Sequence, residues 1–265
     1  MMQDVAAPST ESATFRRLRL FNALMVPIHV AQGIVILALS NSFSLPVTTS
    51  FLKFDEAARK LATEDNTLFD LRLAPVVASF LFISAFDHLL LALPRVYPWY
   101  VRNLERGINY ARWWEYALSA SIMIVVIAML VGVYDLPSLM LLFAVTAMMI
   151  FWGLMMEVHN QTTDRVNWTA FRFGSLAGVV PWIVIGLYLL APASRSIGDV
   201  PTFVYGIYIS LFLWFNCFAV NMFLQYKKVG PWNDYLFGER MYVILSLTAK
   251  SALAWQVFAG TLRSV

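Results

Sequence analysis

Seven long apolar runs alternate with short stretches rich in charge and proline along the chain, at approximately residues 18–40, 71–93, 111–133, 136–158, 170–190, 202–226 and 240–262. A helix needs about 20 predominantly apolar residues to cross the hydrocarbon of a bilayer, and each run meets that length. The pattern predicts an all-α membrane protein, a seven-transmembrane helix bundle that forms one domain over residues 1–265. Pro94, Pro98, the segment Asp135 to Pro137, Pro192, Pro201 and Gly230-Pro231 punctuate the joints, because proline cannot continue a helix. The polar first sixteen residues lead into Leu18 to Ser40 without a small-residue cleavage pattern, which predicts an anchor helix and no removable signal peptide. Only the connection 41–70 is long, and its segment Leu45 to Phe51 (LPVTTSF) is β-branched enough to predict a short β-hairpin, an ordered cap over one membrane face.

Composition agrees: 60% of the 265 residues are hydrophobic, 13% are charged and the mean hydropathy is +0.67, which leaves no room for a separate soluble domain. The one cysteine, Cys217, excludes an intramolecular disulfide and reads as a buried apolar thiol. The sequence pI near 9.0 does not indicate nucleic acid, because the cations are dispersed among the connections. They report topology instead. Of the 19 cations, twelve (Arg16, Arg17, Arg19, Arg95, Arg102, Arg106, Arg112, Arg165, Arg172, Lys227, Lys228, Arg240) lie at the end where the first helix begins. Six (Lys53, Arg59, Lys60, Arg72, Arg195, Arg263) lie at the other end, and Lys250 is the nineteenth. Positively charged connections stay in the cytoplasm. This bias predicts a multi-pass cell-membrane protein with a cytoplasmic N-terminus, an extracellular C-terminus and an extracellular loop 41–70.

Ionisable groups inside a bilayer are costly, so each one is a candidate for function. These are His29, Asp87, His88, Arg112, Glu115, Glu157 and Lys250. Lys250 leads. It lies ten residues into the seventh run, about 15 Å from the end at 1.5 Å per residue, out of easy reach of either surface. A buried lysine loses its proton, pairs with a carboxylate, or forms a Schiff base with a carbonyl compound. Ser246, four residues earlier, shares its helical face, and helical side chains lean toward the N-terminus. Glu115, about 9 Å deep in the third run, leaves a depth difference of about 6 Å that a lysine side chain spans. Aromatic residues crowd the same region: Trp113, Trp114 and Tyr116, then Trp214, Phe215 and Phe218, then Trp255 and Phe258. Asp87 falls on a different helix face from His88. Glu157, His159 and Glu239 fall near the cytoplasmic surface, where capping or solvated contacts are expected. No cluster has metal-ligand spacing.

A single lysine in the last helix facing an acidic residue in the third resembles the microbial rhodopsins, in which retinal is a protonated Schiff base. Arg112-Trp113-Trp114-Glu115-Tyr116 resembles the Arg-x-x-Asp-aromatic motif that carries the counterion in light-driven proton pumps. SLTAKSALAWQVFAGTL around Lys250, WWEYALSASIM around Glu115, the long first loop, the inverted orientation and the pair His29 and His88 narrow the resemblance to the heliorhodopsins. It covers essentially the whole chain.

The resemblance implies retinal, all-trans in the dark, attached at Lys250 with Glu115 as the single counterion. Ser246, Tyr116, Ser119, Trp214, Phe215 and Trp255 would line it. In pumps the position of Ser246 is normally an aspartate, and a carboxylate proton donor follows eleven residues after the counterion, where this chain has Val126. His29 and His88 are equally a transient proton-acceptor cluster or a hydrogen-bonded pair of core histidines. The expected function is a light-sensing photoreceptor, not an enzyme, that signals without pumping. Its expected partners are the lipid bilayer, a cytoplasmic signalling partner and a second copy in a homodimer, with no nucleic acid. A light-driven ion transporter, which the apolar run Ser121 to Leu130 disfavours, and a chromophore-free small-molecule transporter with a Lys250–Glu115 ion pair remain the alternatives.

Overall fold

The computed structural model describes residues 13–56, 59–190 and 200–263; the expected joint at Pro192 and the cation Arg195 lie outside them. In chain order the elements are α1 (Ala13–Leu39), β1 (Ser44–Asp55), β2 (Lys60–Arg72), α2 (Leu73–Ala92), α3 (Tyr97–Glu105), α4 (Tyr110–Leu130), α5 (Leu136–His159), α6 (Thr169–Leu190), α7 (Thr202–Lys227) and α8 (Tyr235–Val257). Among the described residues, seven helices are long and apolar enough to cross a membrane, all but α3.

Local chemistry sets the helix starts. The side chains of Asn109, Asp135 and Asp234 accept hydrogen bonds from the backbone N–H groups of Arg112, Ser138 and Leu236, satisfying donors that a first turn leaves free. The Asp234 cap starts α8 five residues before the expected Arg240. At its far end α8 widens into a π-helical turn, Phe258–Leu262. The helix α3 was not expected, since Pro94 and Pro98 read as breaks. Pro98 lies in its first turn, where a missing N–H costs nothing.

Exposed side chains on α6, Leu176, Val179, Ile183, Leu187 and Leu190, recur at three- and four-residue spacing. That is the stripe a helix turns toward lipid. Buried α4 runs through the middle of the bundle, with Met123, Ile124, Val126, Ile127 and Met129 almost fully enclosed. These pack with Phe80, Leu81, Ile185, Leu253 and Val257 into an apolar core in the half of the bundle nearest the hairpin. Cys217 is half-buried on α7, not enclosed as expected.

The strands β1 and β2 pair antiparallel from Ser44 opposite Arg72 to Asp55 opposite Lys60, with an irregularity between Val47 and Thr48. The hairpin therefore extends well beyond Leu45 to Phe51, because the polar Lys60–Arg72 segment supplies the second strand through backbone pairing. Its base is tied down: Thr48 N donates to Tyr134 O at 2.9 Å, and Asn41 N donates to Leu262 O at 2.7 Å. Beyond that base Phe51, Leu52, Phe54 and Leu61 are exposed, so only the root of the hairpin covers the bundle.

Candidate functional site

Lys250 and Glu115 meet at the centre of the bundle. Lys250 Nζ donates to Glu115 Oε1 at 2.9 Å and Oε2 at 3.1 Å and to Ser246 Oγ at 2.7 Å, while Ser84 Oγ of α2 donates to Glu115 Oε1 at 2.7 Å. Both charged side chains are about 95% enclosed. A buried ion pair is tolerable only when its remaining hydrogen-bonding capacity is met, and the two serines do this.

The pair opens onto a cavity of about 50 Å³, lined by Tyr116, Ser119, Met123, Phe215, Ser246 and Lys250 among others. Tyr116, Met149, Ile150, Phe215 and Phe218 are shared with an adjoining cavity of about 220 Å³ that reaches Trp113, Gly153, Gly178 and Trp182. Glycine keeps this space open. A Cβ on Gly153 would lie 2.3 Å from the Trp113 ring, and one on Gly178 would lie 2.6 Å from Met149 Sδ. The Ser119 hydroxyl, fully buried at the cavity wall, has no hydrogen-bond partner among the described residues.

A third cavity, of about 20 Å³, lies on the other side of the pair, toward the face where α1 begins. It is bordered by Glu115, Ser246, Asp87, His88, Arg112 and Glu239 among others. Asp87 thus reaches the same space as His88, contrary to expectation. Neighbouring helical positions are only about 100° apart, so both can flank one cavity. His88 Nδ1 bonds Asn22 Oδ1 at 2.8 Å and stacks on His29 with ring centroids 5.7 Å apart. The His29 ring nitrogens have no partner among the described residues.

Glu157 and Glu239 correct the sequence reading further. Neither is solvated: they are 1% and 2% exposed, and both bind the guanidinium of Arg112, Glu157 through Nη2 and Glu239 through Nη1. Glu157 also accepts from Asn109 N at 3.0 Å, Trp113 Nε1 at 2.6 Å and Tyr235 Oη at 3.2 Å. Glu239 Oε2 accepts from Asn109 Nδ2 at 2.7 Å. His159 alone of the three is exposed, its Nε2 3.1 Å from Asn167 Nδ2. A helical-face count finds Glu239: positions 239, 243, 246 and 250 fall on one side of α8.

Two expected lining residues lie elsewhere. Trp255 is 39% exposed and its Nε1 donates to Gln32 Oε1 at 3.0 Å, on the outer surface between α1 and α8. Trp214 packs against the apolar core without bordering either large cavity. Trp114 is likewise outward, 59% exposed and edge-on to Phe151. Trp182, Met149 and Gly153 take their places.

A model of the Heliorhodopsin family matches residues 18–262, nearly the whole chain. The chain belongs to the heliorhodopsin family. It is a multi-pass membrane protein of the rhodopsin photoreceptor type, and the family implies a retinal chromophore. No curated protein sequence matches the chain. The residues present fit that chromophore. A primary amine lines one of two adjoining, largely apolar cavities whose walls include aromatic, methionine and glycine residues and a hydroxyl without a partner among the described residues. An apolar chamber with a few placed polar groups is what a polyene aldehyde requires.

Proposed function

We propose that the protein senses light through all-trans-retinal bound to Lys250 Nζ as a protonated Schiff base, with Glu115 as the counterion, and signals without pumping ions. The observation that carries this reading is the Lys250–Glu115 contact of 2.9 Å at the mouth of the aromatic cavity. When bound, retinal supplies visible absorption and a double bond whose isomerisation displaces the charged nitrogen.

Glu115 stabilises the positive charge on the nitrogen, and Ser84 and Ser246 hold the carboxylate and the nitrogen in line. Tyr116, Ser119 and Phe215 form the wall beside the nitrogen. His29 and His88, stacked on each other with His88 joined to Asn22, accept the proton transiently and return it. The proton has no onward route through the apolar half of the bundle, where Val126 and Ile127 are fully buried among Phe80, Leu81 and Leu253. Vectorial transfer needs titratable stations on both sides of the nitrogen.

The cation bias of twelve to six supports a cytoplasmic N-terminal face and an extracellular hairpin. A cytoplasmic partner then reads a rearrangement of the N-terminal face. The exposed Leu52, Phe54 and Leu61 on the hairpin support pairing with a second copy of the chain, since such patches mark contact surfaces. Adding all-trans-retinal to the expressed protein tests the first step: a visible band is expected, and its absence favours a structural ion pair. Illuminated vesicles test the second. No sustained pH change is expected with or without a protonophore, whereas a gradient abolished by the protonophore identifies a pump.

A further inference from the structure

Two carboxylates, Glu157 of α5 and Glu239 of α8, share the one guanidinium of Arg112. All three side chains are at least 95% enclosed. If both acids were charged, the cluster would carry a net negative charge in a low-dielectric interior. One proton shared between the two acids would leave the buried cluster neutral, because a single guanidinium balances only one carboxylate. The donors divide unevenly. Glu157 accepts from four groups (Arg112, Asn109 N, Trp113 and Tyr235), whereas Glu239 accepts from Arg112 and the Asn109 amide.

The cluster is also open toward the chromophore site. Glu239 and Arg112 border the same cavity of about 20 Å³ as Glu115 and Ser246. That volume holds one water, since about 10–15 Å³ suffices. Arg112, which borders this cavity, has its Nε buried and without a partner among the described residues. Other groups at the cavity are Asp87 and His88 from α2 and Tyr100 from α3. Tyr100 lies outside the membrane spans. Its burial, and after that the charge of Glu239, pushes its phenol above the usual tyrosine range, so it remains a neutral hydroxyl. Tyr235 and Tyr242 of α8 complete the surroundings, Tyr242 lying face-on to the guanidinium at 4.0 Å.

We propose that Glu157 and Glu239 hold one shared proton in the dark and that Glu239 is the port through which this store lends its proton to Glu115 and takes it back. The proposal rests on the photoreceptor reading for its trigger. Once the proton of the linked nitrogen has moved to the histidine pair, Glu115 faces no cation. The O–H bond of the acid pair then breaks and an O–H bond forms on Glu115 through the cavity water, leaving both Glu157 and Glu239 charged against Arg112. The reverse transfer restores the dark state. No proton leaves the molecule.

Infrared spectroscopy of the full-length protein reads the acid carbonyl directly. In the dark, the difference between neutral and alkaline pH is expected to show a carboxylic-acid band that shifts on 13C-glutamate labelling. Either Glu239→Gln or Glu157→Gln should abolish it, because one remaining carboxylate is neutralised by Arg112, and Asp87→Asn should retain it. Glu239→Asp, which keeps an acid in place, should shift the band and so controls for misfolding. No band in the parent, or one that survives both glutamine variants, overturns the shared proton. In the retinal-loaded protein the same band should bleach on illumination, and a band unchanged by light overturns the port. Failure to form any pigment defeats the photoreceptor reading, yet the dark measurement still decides the shared proton.

Discussion

The two halves of the bundle are built on opposite principles. The half toward the N-terminal face, down to the level of Lys250, buries Asn22, His29, His88, Arg112, Glu115, Glu157, Glu239 and Ser246, most of them bonded to a different helix. The half toward the hairpin packs Phe80, Leu81, Val126, Ile127, Met129, Ile185, Leu253 and Val257. Its buried hydroxyls, Ser121 and Thr146, turn back on their own helices, to Ala117 O at 2.6 Å and Leu142 O at 2.8 Å. Polar groups that bond between helices can rearrange when one charge moves, whereas an interior of apolar side chains and self-satisfied hydroxyls neither hydrates nor conducts protons. The asymmetry therefore sets a polar end bonded between helices against an apolar end, which is the arrangement the proposed sensor needs.

The largest effect is expected from Lys250→Ala. Apart from Lys227, at the very end of α7, no other lysine lies in a span, so the visible pigment should vanish completely, and a coloured, covalently labelled variant would refute the attachment site. Next comes Glu115→Gln, which removes the anion 2.9 Å from the nitrogen. A nearby anion localises the positive charge, so its loss should shift absorption to the red. It should also make the pigment lose its visible band at a lower pH than the parent, since the protonated form is no longer favoured. An unshifted spectrum and an unchanged pH titration would place the counterion elsewhere, with Asp87 the first alternative.

Effects on stability sharpen the contrast between the halves. Arg112→Gln leaves two buried carboxylates without their cation and should cost about 3–5 kcal/mol, read as earlier thermal loss of the pigment. Phe80→Ala, in the apolar half, should cost about 3 kcal/mol from lost packing while the absorption maximum stays put. A spectral shift there would show that the halves are not independent. Smallest is Ser121→Ala, which removes one intrahelical hydrogen bond worth about 1 kcal/mol or less and should leave colour and photocycle unchanged.

The seven spans, the position of Lys250 and its pairing with Glu115 were legible in the sequence. Length, hydropathy and the scarcity of charge in a bilayer are local properties of a run, and each ionisable residue there stands out against an apolar background. Which face of each helix turns inward was less legible. In a membrane both the lipid and the protein interior are apolar, so periodicity does not tell them apart. Trp255 and Trp214 were expected to line the chromophore, but the helix rotations carry one to the outer surface and leave the other packed against the apolar core.

The sequence by itself determined the membrane class, the seven crossings, the buried amine with its acid, and the family. Only the tertiary structure decided how the helices slide along one another. Asn109 and Glu239 are joined at 2.7 Å, which sets the start of α4 level with the fifth residue of α8. From that level Lys250 lies about 16 Å along its helix and Glu115 about 9 Å along its own, and the lysine side chain leaning back toward the N-terminus closes the difference. The same axial offset brings Arg112 between Glu157 and Glu239. No local rule connects residues 112, 157 and 239, because their meeting depends on three helices being docked at one depth, and that depth is set by the packing of the whole bundle.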